Sequence, residues 1–175
     1  MDQDLLTLRT SGSIEELLNR LKARFGRLDV TEEEIAERRS VSGYFKAMFL
    51  AFREDGAKDW ETKVAISVNH SGQEHKLQFH HIFPKAFLKK EYSHLRRSEV
   101  NDIANLAFIG GKTNREIGAK APAEYLANII NSKAGEQLEL QAIPTHGEYL
   151  DKYSYEDFLE FRRKKIVERI NKLLA

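Results

Sequence analysis

Two adjacent histidines, His80 and His81, stand upstream of two asparagines, Asn105 and Asn114, and together they are the residue types a one-metal phosphodiesterase needs. A phosphodiester resists hydrolysis because water is a poor nucleophile, the phosphate repels anions and the leaving alkoxide is a strong base. The chemistry calls for a general base, a cation on the phosphoryl and leaving oxygens, and groups that hold the phosphate in line. The neutral imidazole of His81 can take the proton from water, a step typically worth about 10²–10⁴ in rate. His80 points elsewhere as the chain leaves a strand and can ligate a cation. Asn114, in the first turn of a helix after Gly110-Gly111, presents an amide oxygen to the same ion, and the helix N-terminus itself favours phosphate. Asn105 is suited to pin the loop that orients the base. Plainer roles stay open: Asn105 satisfying a turn, Asn114 capping a helix. His70, His75, His94 and His146 belong to no such constellation.

Composition narrows the class. The 175 residues suffice for one domain, and 41% hydrophobic with 31% charged residues is ordinary for a soluble globular protein. No run approaches a membrane span, and the acidic start Met1-Asp2-Gln3-Asp4 is unlike a signal peptide, so the expected compartment is the cytoplasm, with no membrane partner. Zero cysteines exclude disulfides, thiol catalysis and thiolate zinc sites. The net charge of +1 hides an uneven distribution. Residues 80–120 carry 8 basic and 4 acidic side chains and 152–175 carry 7 and 4, whereas 1–79 and 121–151 are net acidic. The expectation is that those two basic segments face a polyanion.

The elements that must position these residues follow from periodicity. Ser13 or Ser11 caps a helix to about Phe25 with Ile14, Leu17, Leu18, Leu21 and Phe25 on one stripe, and Gly26 ends it. The capping box Thr31-Glu32-Glu33-Glu34 opens a long helix over 31–55, with Tyr44, Phe45, Met48, Phe49 and Phe52 at helical spacing. Val64, Ile66 and Val68 alternate as a strand or a short extended piece, 69–72 turns, and Leu77 and Phe79, with His81 in the same register, alternate again up to Pro84. Lys85 to Lys90 is a short helix and Ile103 to Ile109 a second strand, ended by Gly110-Gly111. Thr113 caps a helix interrupted at Gly118 and restarted after Pro122, to about Ile130. A polar loop covers 131–151. Ser154 caps a C-terminal basic amphipathic helix over 152–175, where Phe158, Leu159, Phe161, Ile166, Ile170, Leu173 and Leu174 include a core-facing stripe and Arg162, Arg163, Lys164, Lys165, Arg169 and Lys172 supply charge. The fold expected is α+β and predominantly α-helical: one domain, 1–175, in which residues 1–60 are helical and a small ββα core lies within 64–130.

Taken in order, these residues resemble the HNH, or ββα-metal (His-Me finger), nucleases. The similarity covers roughly residues 75–126. The string from His80 to Leu88, then Asn105-Leu106-Ala107, then Thr113 to Leu126 with its Lys120-Ala121-Pro122-Ala123-Glu124-Tyr125-Leu126 tail, is similar to the C-terminal nuclease domain of GmrSD-type, modification-dependent (type IV) restriction enzymes. Gly56-Ala57-Lys58-Asp59-Trp60 shares that likeness. The resemblance implies His81 as general base, His80 and Asn114 as ligands of one divalent ion, Asn105 as the structural asparagine, and Lys112, Arg115 and Lys120 as phosphate contacts. It implies DNA as substrate and a nucleotide-hydrolysing, modification-sensing domain or subunit as partner, with no nucleotide bound by this chain itself. The first ligand in that superfamily is often Asp. Mg²⁺ or Mn²⁺ is the expected ion; His80 in place of that Asp removes a negative charge and softens the site, which weakens the preference for Mg²⁺ and makes Ni²⁺ or Zn²⁺ admissible. An RNase using the same site, or an inactive nucleic-acid-binding module, are the alternative readings.

Overall fold

Leu77–His81 and Leu106–Gly110 form the antiparallel pair β1 and β2, in which His80 faces Ala107 and His81 faces Leu106. The computed structural model describes residues 14–145 and 155–175. Among them the helices are α1 (Ile14–Phe25), α2 (Glu32–Ile35), α3 (Gly43–Glu54), α4 (Lys85–Glu91), α5 (Arg97–Val100), α6 (Gly111–Ile117), α7 (Pro122–Ile129), α8 (Gly135–Glu139) and α9 (Tyr155–Leu174). The chain is thus α+β and predominantly helical, with one small sheet among the described residues. None of these helices is long and apolar enough to cross a membrane. The expected caps Ser11, Ser13 and Ser154 lie outside the described residues.

β2 is buried along its whole length and is the centre of the core. Phe108 meets Phe45 and Phe49 of α3 at ring-centre distances of 5.0 and 5.2 Å, and Phe79 of β1 at 6.0 Å. α9 lays Phe158, Leu159, Ile166 and Ile170 into the same core and packs against α2 and α3.

Several expected elements differ. The helix over 31–55 is two helices: the capping box forms and yields only α2, Glu37 takes a left-handed φ of 56°, and Ser42 recaps the chain by accepting from Phe45 N. Val64–Val68 is no strand. Its alternation finds no partner beyond an isolated bridge between Lys58 and Ala65, and a strand without a neighbour has no ladder to hold it. The second strand begins at Leu106, after a 3₁₀ turn over Ile103–Asn105. The polar stretch 131–139 is helical, a π turn over Ile130–Ala134 leading into α8, because Ala134 and Leu138 give it a buried side. α1 forms as expected, but Leu17, Leu18 and Leu21 of its apolar stripe are only half-buried and Phe25 is 60% exposed.

α9 departs furthest from expectation. Arg162 lies fully buried, donating from Nη1 to Ala104 O (2.6 Å) and Leu106 O (2.9 Å) and from Nη2 to Gln141 O (2.8 Å). Burial brings its pKa down to about 9, so it is a cation at neutral pH. Arg163 bonds buried Asp102 at 2.5 Å, while Arg169 and Lys172 share Asp55 at 2.7 and 2.8 Å. These charges clamp α9 to the loops that lead into the sheet, so Arg162, expected among the surface charges, is a core residue, and Arg163, Arg169 and Lys172 are ion-paired.

Candidate active site

The two strands and the following helix α6 gather the histidines and asparagines. His80 and His81 are successive residues of β1, so their side chains leave opposite faces. This inverts the expected alternation: His80 is only 4% exposed while Phe79 is 50% exposed. Asn114 sits one turn into α6. The helix begins at Gly111 with Gly110 as its N-cap, so Thr113 is not the cap. Instead Thr113 is buried and donates from Oγ1 to Asp59 Oδ1 at 2.7 Å. Asp59 also accepts from Gly110 N at 2.6 Å and from Thr62 N at 2.7 Å, and these donors hold its pKa below the usual range against the cost of burial. Gly111 is required where it stands, because a Cβ there would come within 2.1 Å of Gln73 O.

His80 and Asn114, 34 positions apart, meet with Nδ1 and Oδ1 2.9 Å from each other. Tyr125 faces the other ring nitrogen: its hydroxyl donates to Ile82 O at 2.8 Å, and its oxygen lies 3.3 Å from His80 Nε2. Burial holds the His80 pKa down at about 4, so the ring is neutral and carries one proton. On Nδ1 that proton is donated to Asn114 Oδ1; on Nε2 it is donated to the Tyr125 oxygen, and Nδ1 and Oδ1 are then two acceptors, satisfied by a bridging cation or by the Asn114 amide turned to donate from Nδ2. Adjacent ligand atoms about 2.1 Å from an ion and at right angles to each other sit about 3.0 Å apart, so the pair fits one divalent ion. The described residues contain no cluster of three His, Cys, Asp or Glu for a metal. An ion on these two neutral donors would complete its shell with water and substrate oxygens.

His81 is organised separately. Asn101 Nδ2 donates to Arg97 O at 2.7 Å, which fixes the amide and leaves Oδ1 to accept from His81 Nε2–H at 3.3 Å. The lone pair of the neutral ring is therefore on Nδ1. Burial first, and the Lys85 ammonium second, bring the His81 pKa down to about 4. Fully buried Asn105 clamps the backbone two residues downstream, accepting from Phe83 N at 2.8 Å and donating to Phe83 O at 3.1 Å and Val100 O at 3.2 Å.

Of the expected phosphate contacts, Arg115 lines a cleft of about 210 Å³ with Asn114, Lys76 and Gln78, its Nη1 donating to Gln73 O at 3.0 Å. Lys112 lies 4.0 Å from Glu116, and Lys120 donates to Glu116 O while lining a different cavity, beside Glu61 and Trp60. Asn101, Tyr125 and Asp59 escaped the reading of the site from sequence. Tyr125 and Asp59 stood in strings that carried the resemblance, but nothing in their spacing announced a role.

No family model matches the chain, and no solved structure matches it significantly. One relative, described as "Uncharacterized protein MJ0686" from Methanocaldococcus jannaschii, is 25% identical over an alignment of 126 residues that takes in 58% of this chain. The matched region is 21% of that protein, so the chain spans about a fifth of its length.

Proposed function

We propose that the chain is a divalent-metal-dependent DNA endonuclease domain of the HNH, or ββα-metal, type. We further propose that it serves a modification-dependent restriction system in which target choice comes from a separate nucleotide-hydrolysing, modification-sensing domain or subunit. The observation that carries the reading is the meeting of His80 Nδ1 and Asn114 Oδ1 at 2.9 Å on a strand–strand–helix unit, next to a His81 whose Nε2 is held by Asn101. The relative's match to only a fifth of its own length is in keeping with a module that works inside a larger enzyme.

In this reading His81 Nδ1 takes the proton of the attacking water while Asn101 holds Nε2–H and stabilises the imidazolium that forms. Asn105 fixes the loop behind the base through Phe83. His80 and Asn114 would hold the ion, and Tyr125, by keeping the proton on Nε2, leaves Nδ1 available as a ligand. A divalent ion bound there supplies charge neutralisation at the phosphoryl and leaving oxygens. Arg115, which lines a cleft with Asn114, would meet the phosphate. With neutral ligands only, binding is weak, and Mn²⁺ supports the reaction at lower concentration than Mg²⁺.

The test is nicking of supercoiled plasmid by the purified chain in EDTA and after addition of Mn²⁺ or Mg²⁺, with a structured RNA as a parallel substrate. Metal-dependent DNA cleavage without added nucleotide is the expected result. Cleavage of the RNA alone would reassign the substrate. No cleavage of either, with a folded protein, would leave a binding module.

A further inference from the structure

Beside His81 the chain has a second cleft, of about 510 Å³, lined by residues of α4, α5 and the segment joining them. Its volume falls within the range of roughly 300–1,000 Å³ usual for ligand sites. Asn101, the partner of His81, and Lys85, whose charge bears on the His81 ring, are both in its wall. Leu88, Leu95, Val100 and the half-buried Tyr92 give it an apolar lining, and Lys85, Lys89 and Arg97 are exposed cations around it. Neighbouring cations are neutralised: Lys90 pairs with Glu91 at 2.8 Å, and Arg96 pairs with Glu37 and, at 3.1 Å, with Glu99. No ion pair joins Lys85, Lys89 or Arg97 to a carboxylate among the described residues, and no acidic side chain lines the cleft.

We infer that this cleft binds one unstacked nucleotide of a single strand, flanking the phosphate at His81, its phosphates on Lys85, Lys89 and Arg97 and its base against Tyr92 and Leu95. The lining and its cations are complementary to such a nucleotide. A duplex shows the protein phosphates with its base faces stacked away, and would leave the apolar lining unmatched. An unpaired nucleotide offers an anion and a flat apolar face together, the combination that aromatic-and-cationic grooves use on single strands. The binding stands on the cleft alone. Only the claim that the nucleotide flanks the scissile phosphate rests on the proposed role of His81. DNA and RNA strands share this chemistry.

The test is fluorescence anisotropy of the whole chain in EDTA with labelled twelve-nucleotide probes: single-stranded DNA, single-stranded RNA, and duplex DNA of the same sequence. The combined Lys85→Gln, Lys89→Gln, Arg97→Gln variant should weaken single-strand binding at least tenfold. It should also flatten the slope of log K against log salt by about 0.7 for each phosphate no longer neutralised, about 2 in all. A control of equal charge loss, Lys22→Gln, Arg24→Gln, Lys164→Gln, should do neither. Tyr92→Leu should weaken single-strand binding at least about fivefold, leaving the slope and the duplex affinity unchanged. A tighter grip on one of the two single strands names the natural source, and equal binding assigns the cleft to what they share. A cleft variant that behaves like the control, or a duplex bound as tightly as the strand and equally sensitive to Tyr92→Leu, would overturn the inference. If the nuclease reading fails, cleavage is absent while this cleft-dependent binding persists. If the inference fails, metal-dependent cleavage persists while the cleft variant binds like wild type.

Discussion

Segments 80–120 and 152–175 carry nearly the same excess of positive charge, +4 and +3, and the fold uses them in opposite ways. In the first, Lys85, Lys89 and Arg97 are exposed around a cleft beside His81. In the second, Arg162 is buried against three carbonyl groups, and Arg163, Arg169 and Lys172 are tied to Asp102 and Asp55. Equal charge along the sequence is therefore not equal potential at the surface. A cation whose counter-charge or carbonyl cradle lies elsewhere in the chain belongs to the architecture and releases no counterions from nucleic acid.

The comparison breaks most visibly at one residue from each region. His81→Ala should lower metal-dependent cleavage by about 10²–10⁴ while leaving the thermal transition nearly unchanged, because the ring is proposed to act on water. Wild-type rates in this variant would remove the base. Arg162→Leu should leave the carbonyls of Ala104, Leu106 and Gln141 without their donors in the core and cost about 3–5 kcal/mol in urea denaturation. A stable Arg162→Leu variant with a flattened DNA salt slope would return α9 to the polyanion face.

Smaller effects sharpen the same contrast. Gly111→Ala must push the start of α6 off the Gln73 carbonyl, costing about 1–3 kcal/mol in thermal melting and moving Asn114 from His80. Acid should expose the burial of His80. Its folded pKa, about 4, lies below the ordinary 6.5, so the unfolded chain binds the proton more readily. The stability it contributes is complete above pH 6.5 and is lost as pH falls toward 4. Denaturation in EDTA should therefore show about 2 kcal/mol lost from this residue between pH 7 and 5. His80→Gln should flatten that dependence, and an unaltered pH profile would show that the ring is not held neutral. Least of all, Lys164→Gln on the exposed side of α9 should change stability by under about 0.5 kcal/mol and leave the salt slope as it was.

The geometry of the candidate site was partly legible in the sequence because the elements that form it are signalled by residue types at set places. The strand that ends in His80-His81, the turn into α6 and the restart at Pro122 all carry local signals, and the fold brings Asn114 to His80 across 34 positions. Asn101 was illegible because its role depends on a cap: only the bond from its Nδ2 to Arg97 O turns its oxygen toward His81. The fold was less legible where tertiary partners decide. The alternation of Val64, Ile66 and Val68 is a strand pattern with no strand beside it. The polarity of 131–139 masked a helix because its buried side rests on Ala134 and Leu138 alone. Arg162 read as surface charge because nothing in its own helix shows that Ala104, Leu106 and Gln141 aim carbonyls at it.

The division of labour between base and ligands is the centre of the account, and one measurement reaches it directly: single-turnover cleavage of plasmid DNA against Mn²⁺ concentration by wild type, His81→Ala and Asn114→Ala. Asn114→Ala should displace the curve to higher Mn²⁺ and recover some of the wild-type rate at saturation. His81→Ala should keep the wild-type midpoint with a plateau lower by about 10²–10⁴. A His81→Ala defect relieved by metal, or an Asn114→Ala defect that no Mn²⁺ concentration relieves in a folded protein, would contradict the roles assigned to both residues.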